Sequence, residues 1–147
     1  NPISKNNLAA VAGANGDRVN AKALLGQAVG AGPEVNYNKA VLAIQDGMYD
    51  DAISNFGGEA TYNKALAQLL NKDHNSALST VNASADAETA QGYYLKAICG
   101  ARADKLDEIV SNLKNAFIKD ASLKAKAAKD REFIKYLENA SFTVIVK

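Results

Sequence analysis

Tyr37-Asn38-Lys39-Ala40-Val41-Leu42-Ala43-Ile44-Gln45-Asp46-Gly47, followed closely by Tyr49-Asp50-Asp51-Ala52-Ile53, is the stretch from which the fold can be read. Tyr37, Ala40, Val41 and Ile44 recur at helical spacing and make one apolar face. Asp46-Gly47 turns the chain, since glycine enters the left-handed region at no steric cost. Tyr49, Ala52, Ile53 and Phe56 then mark a second, shorter helix, which Gly57-Gly58 ends. The pattern is a helical hairpin, and it returns. It recurs as Tyr62-Asn63-Lys64-Ala65 … Ser76-Ala77-Leu78, and more loosely as Tyr94-Leu95-Lys96-Ala97 … Glu108-Ile109.

Upstream of this stretch, Leu8, Val11 and Ala12 predict a helix over 4–14, and Asn15-Gly16-Asp17 a tight turn. Asp17 is placed to cap a helix over 18–29 carrying Val19, Ala21, Leu24, Leu25 and Ala28 on one side. Gly30-Ala31-Gly32-Pro33 breaks the chain, and proline suits the first turn of the helix that follows at 34–45. Downstream, Tyr62, Ala65, Leu66, Leu69 and Leu70 predict a helix over 59–70. Asn71-Lys72-Asp73 is its turn, and Ala77, Leu78 and Val81 lie on the returning helix. A loose segment at 82–86 leads to a helix over 87–102 with Ala90, Tyr94, Ala97, Ile98 and Ala101 inward. Ile109, Val110, Leu113, Ala116 and Phe117 mark its partner. Over 121–138 lysines and arginine alternate with Leu123, Ala127, Phe133, Ile134 and Leu137, which predicts one or two short helices with a wet outer side. The β-branched run Phe142-Thr143-Val144-Ile145-Val146 predicts an extended tail over 139–147.

Gly16, Gly47, Lys72 and Asp104 align as one turn column. Ahead of it stand Ala9, Ala40, Ala65 and Ala97; behind it Ala21, Ala52, Ala77 and Ile109, then Leu25, Phe56, Val81 and Leu113. Small residues let helices approach, and the larger residue four positions on fills the gap between hairpins. This pattern resembles the tetratricopeptide repeat family, whose unit is about 34 residues long with small residues at these columns. Ala9, Gly16, Ala21, Leu25, Ala28 and Pro33 carry the likeness in the first unit. In the later units the usual aromatic is displaced by one, to Tyr37, Tyr62 and Tyr94, and the turn glycine is replaced by Lys72 and Asp104. The resemblance implies an all-α, right-handed superhelical solenoid of about four antiparallel hairpins. Its units fall at about 4–32, 33–58, 59–85 and 86–120, with a cap over 121–138, all in one domain over 1–147. The ending Asp120-Ala121-Ser122-Leu123-Lys124-Ala125 is also similar to the tails of repeat regions in larger bacterial cell-envelope proteins, which would imply a periplasmic or outer-membrane-associated location.

In that family the first helices line a concave groove that holds a peptide. Carried over by column, the groove presents Tyr37, Val41 and Ile44, then Tyr62, Leu66 and Leu69, then Tyr94, Ile98 and Arg102, with Glu34, Glu59 and Gln91 at its lip. A tyrosine column suits an extended or helical segment, but tyrosine at this spacing equally serves to pack hairpin on hairpin. The glutamates at the lip would repel a carboxylate, which disfavours the family's use as a clamp for C-terminal tails.

Composition narrows the remaining classes. The chain has 147 residues, 48% hydrophobic and 22% charged, with a formal charge of +1, which gives no global attraction to nucleic acid or anionic lipid. Lys124, Lys126, Lys129, Arg131 and Lys135 cluster near one end, but Asp130, Glu132 and Glu138 dilute them, so a nucleic-acid partner is not expected. No run approaches the ~20 apolar residues of a membrane span, and the start at Asn1-Pro2 is expected of a processed or excised chain. His74 has no second histidine or cysteine nearby with which to hold zinc. Cys99 lies among Ile98 and Gly100 as a buried structural thiol, without a base to activate it. Asp50-Asp51 and Asp107-Glu108 open helices, where carboxylates favour the positive end of the dipole. No phosphate loop, nucleotide fingerprint or calcium loop is present. The expectation is a non-enzymatic interaction module without cofactor or metal, binding a protein or peptide segment. The alternative is a structural spacer whose concave side is closed by its own C-terminal segment or by self-association through the apolar tail.

Overall fold

The structure is a computed structural model that describes residues 5, 7, 9, 12, 14–27 and 33–147. All regular secondary structure among these residues is helical. Along the chain come α1 (Arg18–Gln27), α2 (Pro33–Gln45), α3 (Tyr49–Phe56), α4 (Tyr62–Leu70), α5 (His74–Ala83), α6 (Ala90–Arg102), α7 (Leu106–Lys119) and α8 (Leu123–Ala127). A 3-10 helix (Arg131–Tyr136) and α9 (Ala140–Val146) follow. Lys5, Asn7, Ala9, Ala12 and Ala14 are helical too, as the reading of 4–14 requires. Leu8, Val11, Ala28 and the breaker Gly30-Ala31-Gly32 lie outside the described residues.

The turn column repeats at the level of single hydrogen bonds. Gly16, Gly47, Lys72 and Asp104 all take positive φ, at 83°, 76°, 65° and 56°. The next N–H reaches back five residues in every copy: Asp17 to the Ala12 carbonyl at 2.8 Å, Met48 to Ala43 at 2.8 Å, Asp73 to Gln68 at 2.9 Å and Lys105 to Gly100 at 2.9 Å. This is the Schellman closure of a helix C-terminus. Each of those four residues then accepts the first bond of the next helix, from Ala21, Ala52, Ala77 and Ile109, at 3.0–3.1 Å. Four turns of different sequence thus share one backbone solution, and glycine is used at two of them.

The chain falls into two compact units, Asn1–Glu59 and Ala60–Lys147, divided beside Gly57-Gly58. In the first, α2 packs on α1 and α3. Ala9, Ala21, Leu25, Val35 and Leu42 form its core cluster, and Ala40, Ala52 and Phe56 are buried as well. In the second, α4 pairs with α5, α6 packs on both, and α7 pairs with α6. Ala65, Leu69, Ala77, Val81, Leu95 and Cys99 form one cluster. A larger one joins Tyr94, Ala97, Ile109, Leu113 and Phe117 to Phe133, Tyr136 and Phe142. Every small-residue and filler column named from the sequence is buried in its own unit.

The tail departs from expectation. Residues 140–146 are helical, not extended. Asn139 caps the helix by accepting from the Ser141 N–H at 2.9 Å and the Phe142 N–H at 3.4 Å. Phe142 is fully buried with its ring centroid 5.6 Å from that of Phe133. β-propensity mostly measures how a side chain fits its neighbours, so a cap plus burial against a helical surface overrides it. The segment over 121–138 forms a short α-helix and a 3-10 helix, within the expected one or two.

Candidate functional site

The second unit presents a cleft of about 330 Å³ lined by Tyr62, Thr89, Gln91, Tyr94, Leu123 and Lys126, among others. Tyr62 opens α4, and Thr61 before it caps that helix by accepting from the Lys64 N–H at 3.1 Å. Thr89 does the same for α6, accepting from the Gly92 N–H at 3.1 Å. Gly92 is required here by space: a Cβ would sit 1.7 Å from the Asp86 carbonyl oxygen. Gln91, expected at the lip, is exposed and donates from Nε2 to Asp86 Oδ1 at 2.9 Å. The Tyr62 hydroxyl is half-buried; desolvation, and secondarily the Asp86 carboxylate, raise its pKa, so it stays a neutral donor at ordinary pH.

Tyr94 is spent differently. It is buried, its ring meets Phe133 edge-on with centroids 5.8 Å apart, and its hydroxyl donates to Asp130 Oδ2 at 2.6 Å. Burial first, then the Asp130 hydrogen bond, pushes its pKa far up. Lys126 Nζ lies 4.6 Å from the Tyr94 ring centroid, within cation–π range. Arg102 is likewise engaged. Its guanidinium takes the Glu132 carboxylate in two bonds, Nε to Oε2 at 3.1 Å and Nη2 to Oε1 at 2.7 Å. Its third nitrogen, Nη1, donates to the Leu69 carbonyl oxygen at 2.8 Å. One side chain therefore ties α6 to the end of α4 and to the 3-10 helix.

Of the nine candidate groove residues, Tyr62 and Tyr94 share the cleft. Leu69 is buried, and Tyr62, Leu66 and Ile98 pack on the cluster it belongs to. Tyr37, Val41 and Ile44 lie on α2 in the first unit. There Tyr37 is 41% exposed and meets Phe56 edge-on at 5.4 Å; Val41 and Ile44 are half-buried. Glu59 is exposed, and the side chain of Glu34 lies outside the described residues.

No protein-family model, curated protein or solved structure matches the chain. The site is therefore argued from its own chemistry. Among the described residues no group of three or more histidine, cysteine or acidic side chains could hold a metal ion, and no helix is long and apolar enough to cross a membrane. Cys99 is buried, and desolvation raises its thiol to about 11, which keeps it protonated and poorly nucleophilic. His74 stands at the start of α5.

The sequence reading missed Asp130, Glu132 and Lys126 as partners of Tyr94 and Arg102. Their only signal in the sequence is acidic residues interleaved in a lysine-rich stretch, which reads equally as dilution of a basic patch.

Proposed function

We propose that the chain is a non-catalytic, tetratricopeptide-like interaction module, a right-handed superhelical solenoid of hairpins that receives a protein or peptide segment. The observation that carries this reading is the open cleft where the first residues of α4 and the inner face of α6 bring Tyr62 and Tyr94 together, with Gln91 and Lys126 at hand. An aromatic floor with a few polar groups around it suits a short segment. The four-fold recurrence of one turn geometry supports the repeat architecture. The likeness of 120–125 to envelope-protein tails supports a scaffold role in a bacterial cell envelope.

Peptides selected from a random library on the intact protein test the reading, followed by titration onto Tyr62→Ala and Lys126→Glu. Loss of affinity by about tenfold or more in Tyr62→Ala, with helicity kept, is expected for a hot-spot aromatic. Selected peptides that bind both variants as they bind the native chain would refute it.

A second reading has its own support. Tyr94 and Arg102 are both held by the chain's own C-terminal segment, through Asp130 and Glu132. This favours a structural spacer whose inner face is closed from within. Recovery of no binding peptide, together with a large loss of stability on removing that segment, is what this reading expects.

A further inference from the structure

The second unit also carries an apolar groove that shares no lining residue with the cleft. α7 and α9 lie against each other, and between them runs a hollow of about 390 Å³. Phe117, Ala121 and Ile145 line it, with Ile118 and Val144 beside them. Ile118 is 80% exposed and Val144 69% exposed. Because both line one hollow, they belong to a joined apolar surface and are not singly scattered side chains. Lys114 and Lys124 stand at the groove, no carboxylate lines it, and neither lysine is in an ion pair among the described residues.

That charge pattern discriminates among occupants. A second copy of the chain would meet this face in an isologous dimer, which lays the same patch on itself. Such a dimer would gather Lys114 and Lys124 from both copies with no acid in either groove to neutralise them. A segment that pairs apolar residues with carboxylates satisfies both the exposed aliphatics and the lysines. We propose that the α7–α9 groove docks an amphipathic helix of a different protein segment, apolar on one face and acidic along its flanks, with Ile118 and Val144 as anchors and Lys114 and Lys124 as the selecting charges. Helix-in-groove binding places apolar anchors at helical spacing and leaves flanking charges to set the partner.

The probe is a designed amphipathic helical peptide with leucines on one face and glutamates on its flanks, paired with a twin carrying lysine for every glutamate. Binding to the intact chain is read by fluorescence anisotropy, and its mass by sedimentation. The glutamate peptide is expected to bind and the lysine twin not. Lys114→Glu with Lys124→Glu should weaken the first by about tenfold, as two exposed charge contacts predict, and admit the second. Ile118→Ser with Val144→Ser should abolish binding. All four positions are at least partly open, so unchanged circular dichroism is expected and the charge-reversal pair serves if the serine pair does not fold. Equal binding of the twins, or indifference to charge reversal, overturns the proposal. So does a dimer of the native chain that the serine pair dissolves, which would give the face to a second copy.

Discussion

Lys72 and Asp104 take the same left-handed backbone as Gly16 and Gly47, but their side chains differ in what they hold. Left-handed φ is disfavoured for a residue with a Cβ, and the Lys72 side chain is exposed. Lys72→Gly is therefore expected to raise stability by about 0.5–1 kcal/mol, measured by urea titration. Asp104 holds more. It accepts from the Tyr136 hydroxyl and pairs with Lys135 Nζ at 2.8 Å, so Asp104→Gly is expected to lower stability despite relieving the same backbone. The Lys135 and Tyr136 bonds hold the Asp104 carboxyl below its ordinary pKa, so its contribution is present at neutral pH and fades as the solution is made strongly acid. The tyrosines act with the opposite sign. Tyr136 is raised from 10.0 to about 12 by burial and then by the Asp104 hydrogen bond, and Tyr94 is raised further in the same direction. Their contributions are complete below the unfolded value near 10 and are lost as pH climbs through the folded values. Thermal melts should therefore weaken steeply between pH 10 and 12, and Tyr94→Phe should blunt that dependence. Tyr94→Phe alone should cost about 1.5–3 kcal/mol, the value of a hydrogen bond to a charged acceptor.

At the scale of elements, the hairpins were legible because every determinant was local. Ala40, Ala65 and Ala97 stand at fixed distances from a turn, and periodicity placed α2 to α7 within a few residues of where they lie. The C-terminal segment was not legible, because what shapes it comes from elsewhere in the chain. Phe142 becomes helical by burying its ring against Phe133, and the 3-10 helix is aimed by Tyr94 and Arg102, whose partners lie 36 and 30 residues further along the chain. No local pattern announces such partners. The site shares this division. Tyr62 could be found by column, whereas the engagement of Tyr94 with Asp130 could not. Two outcomes follow for this element. Phe142→Ala should destabilise the second unit by about 3–5 kcal/mol, the range for truncating a fully buried aromatic, seen as a lowered denaturant midpoint. Arg102 and Glu132, with side chains 28% and 31% exposed, should show a coupling of about 1 kcal/mol in a double-mutant cycle of Arg102→Lys and Glu132→Gln, since lysine keeps the charge and loses the fork.

For the whole molecule, the distribution of core residues sets what can fold alone. The clusters around Leu69 and around Phe133 both lie wholly within 60–147, and Ile98 packs against each of them, so α4 to α9 share one continuous interior. On the proposed repeat reading, neighbouring hairpins stabilise one another and the end needs finishing. Here the last hairpin is finished by α8, the 3-10 helix and α9, which bring Ala127, Phe133, Tyr136 and Phe142 into its core. A fragment of 60–147 cut beside Gly57-Gly58 keeps every one of these contacts. It is expected to be helical by circular dichroism and to melt in one cooperative step. The further cut 60–120 removes the finishing segment, takes Phe133, Tyr136 and Phe142 out of the cluster that holds Tyr94, Ala97 and Leu113, and is expected to lose that cooperativity. If 60–147 proves unfolded while the full chain is folded, its interior depends on residues before Ala60 and the assignment of a self-sufficient core is wrong. If 60–120 melts as sharply as 60–147, the buried phenylalanines of the last segment do not finish the last hairpin, and the spacer reading loses its support.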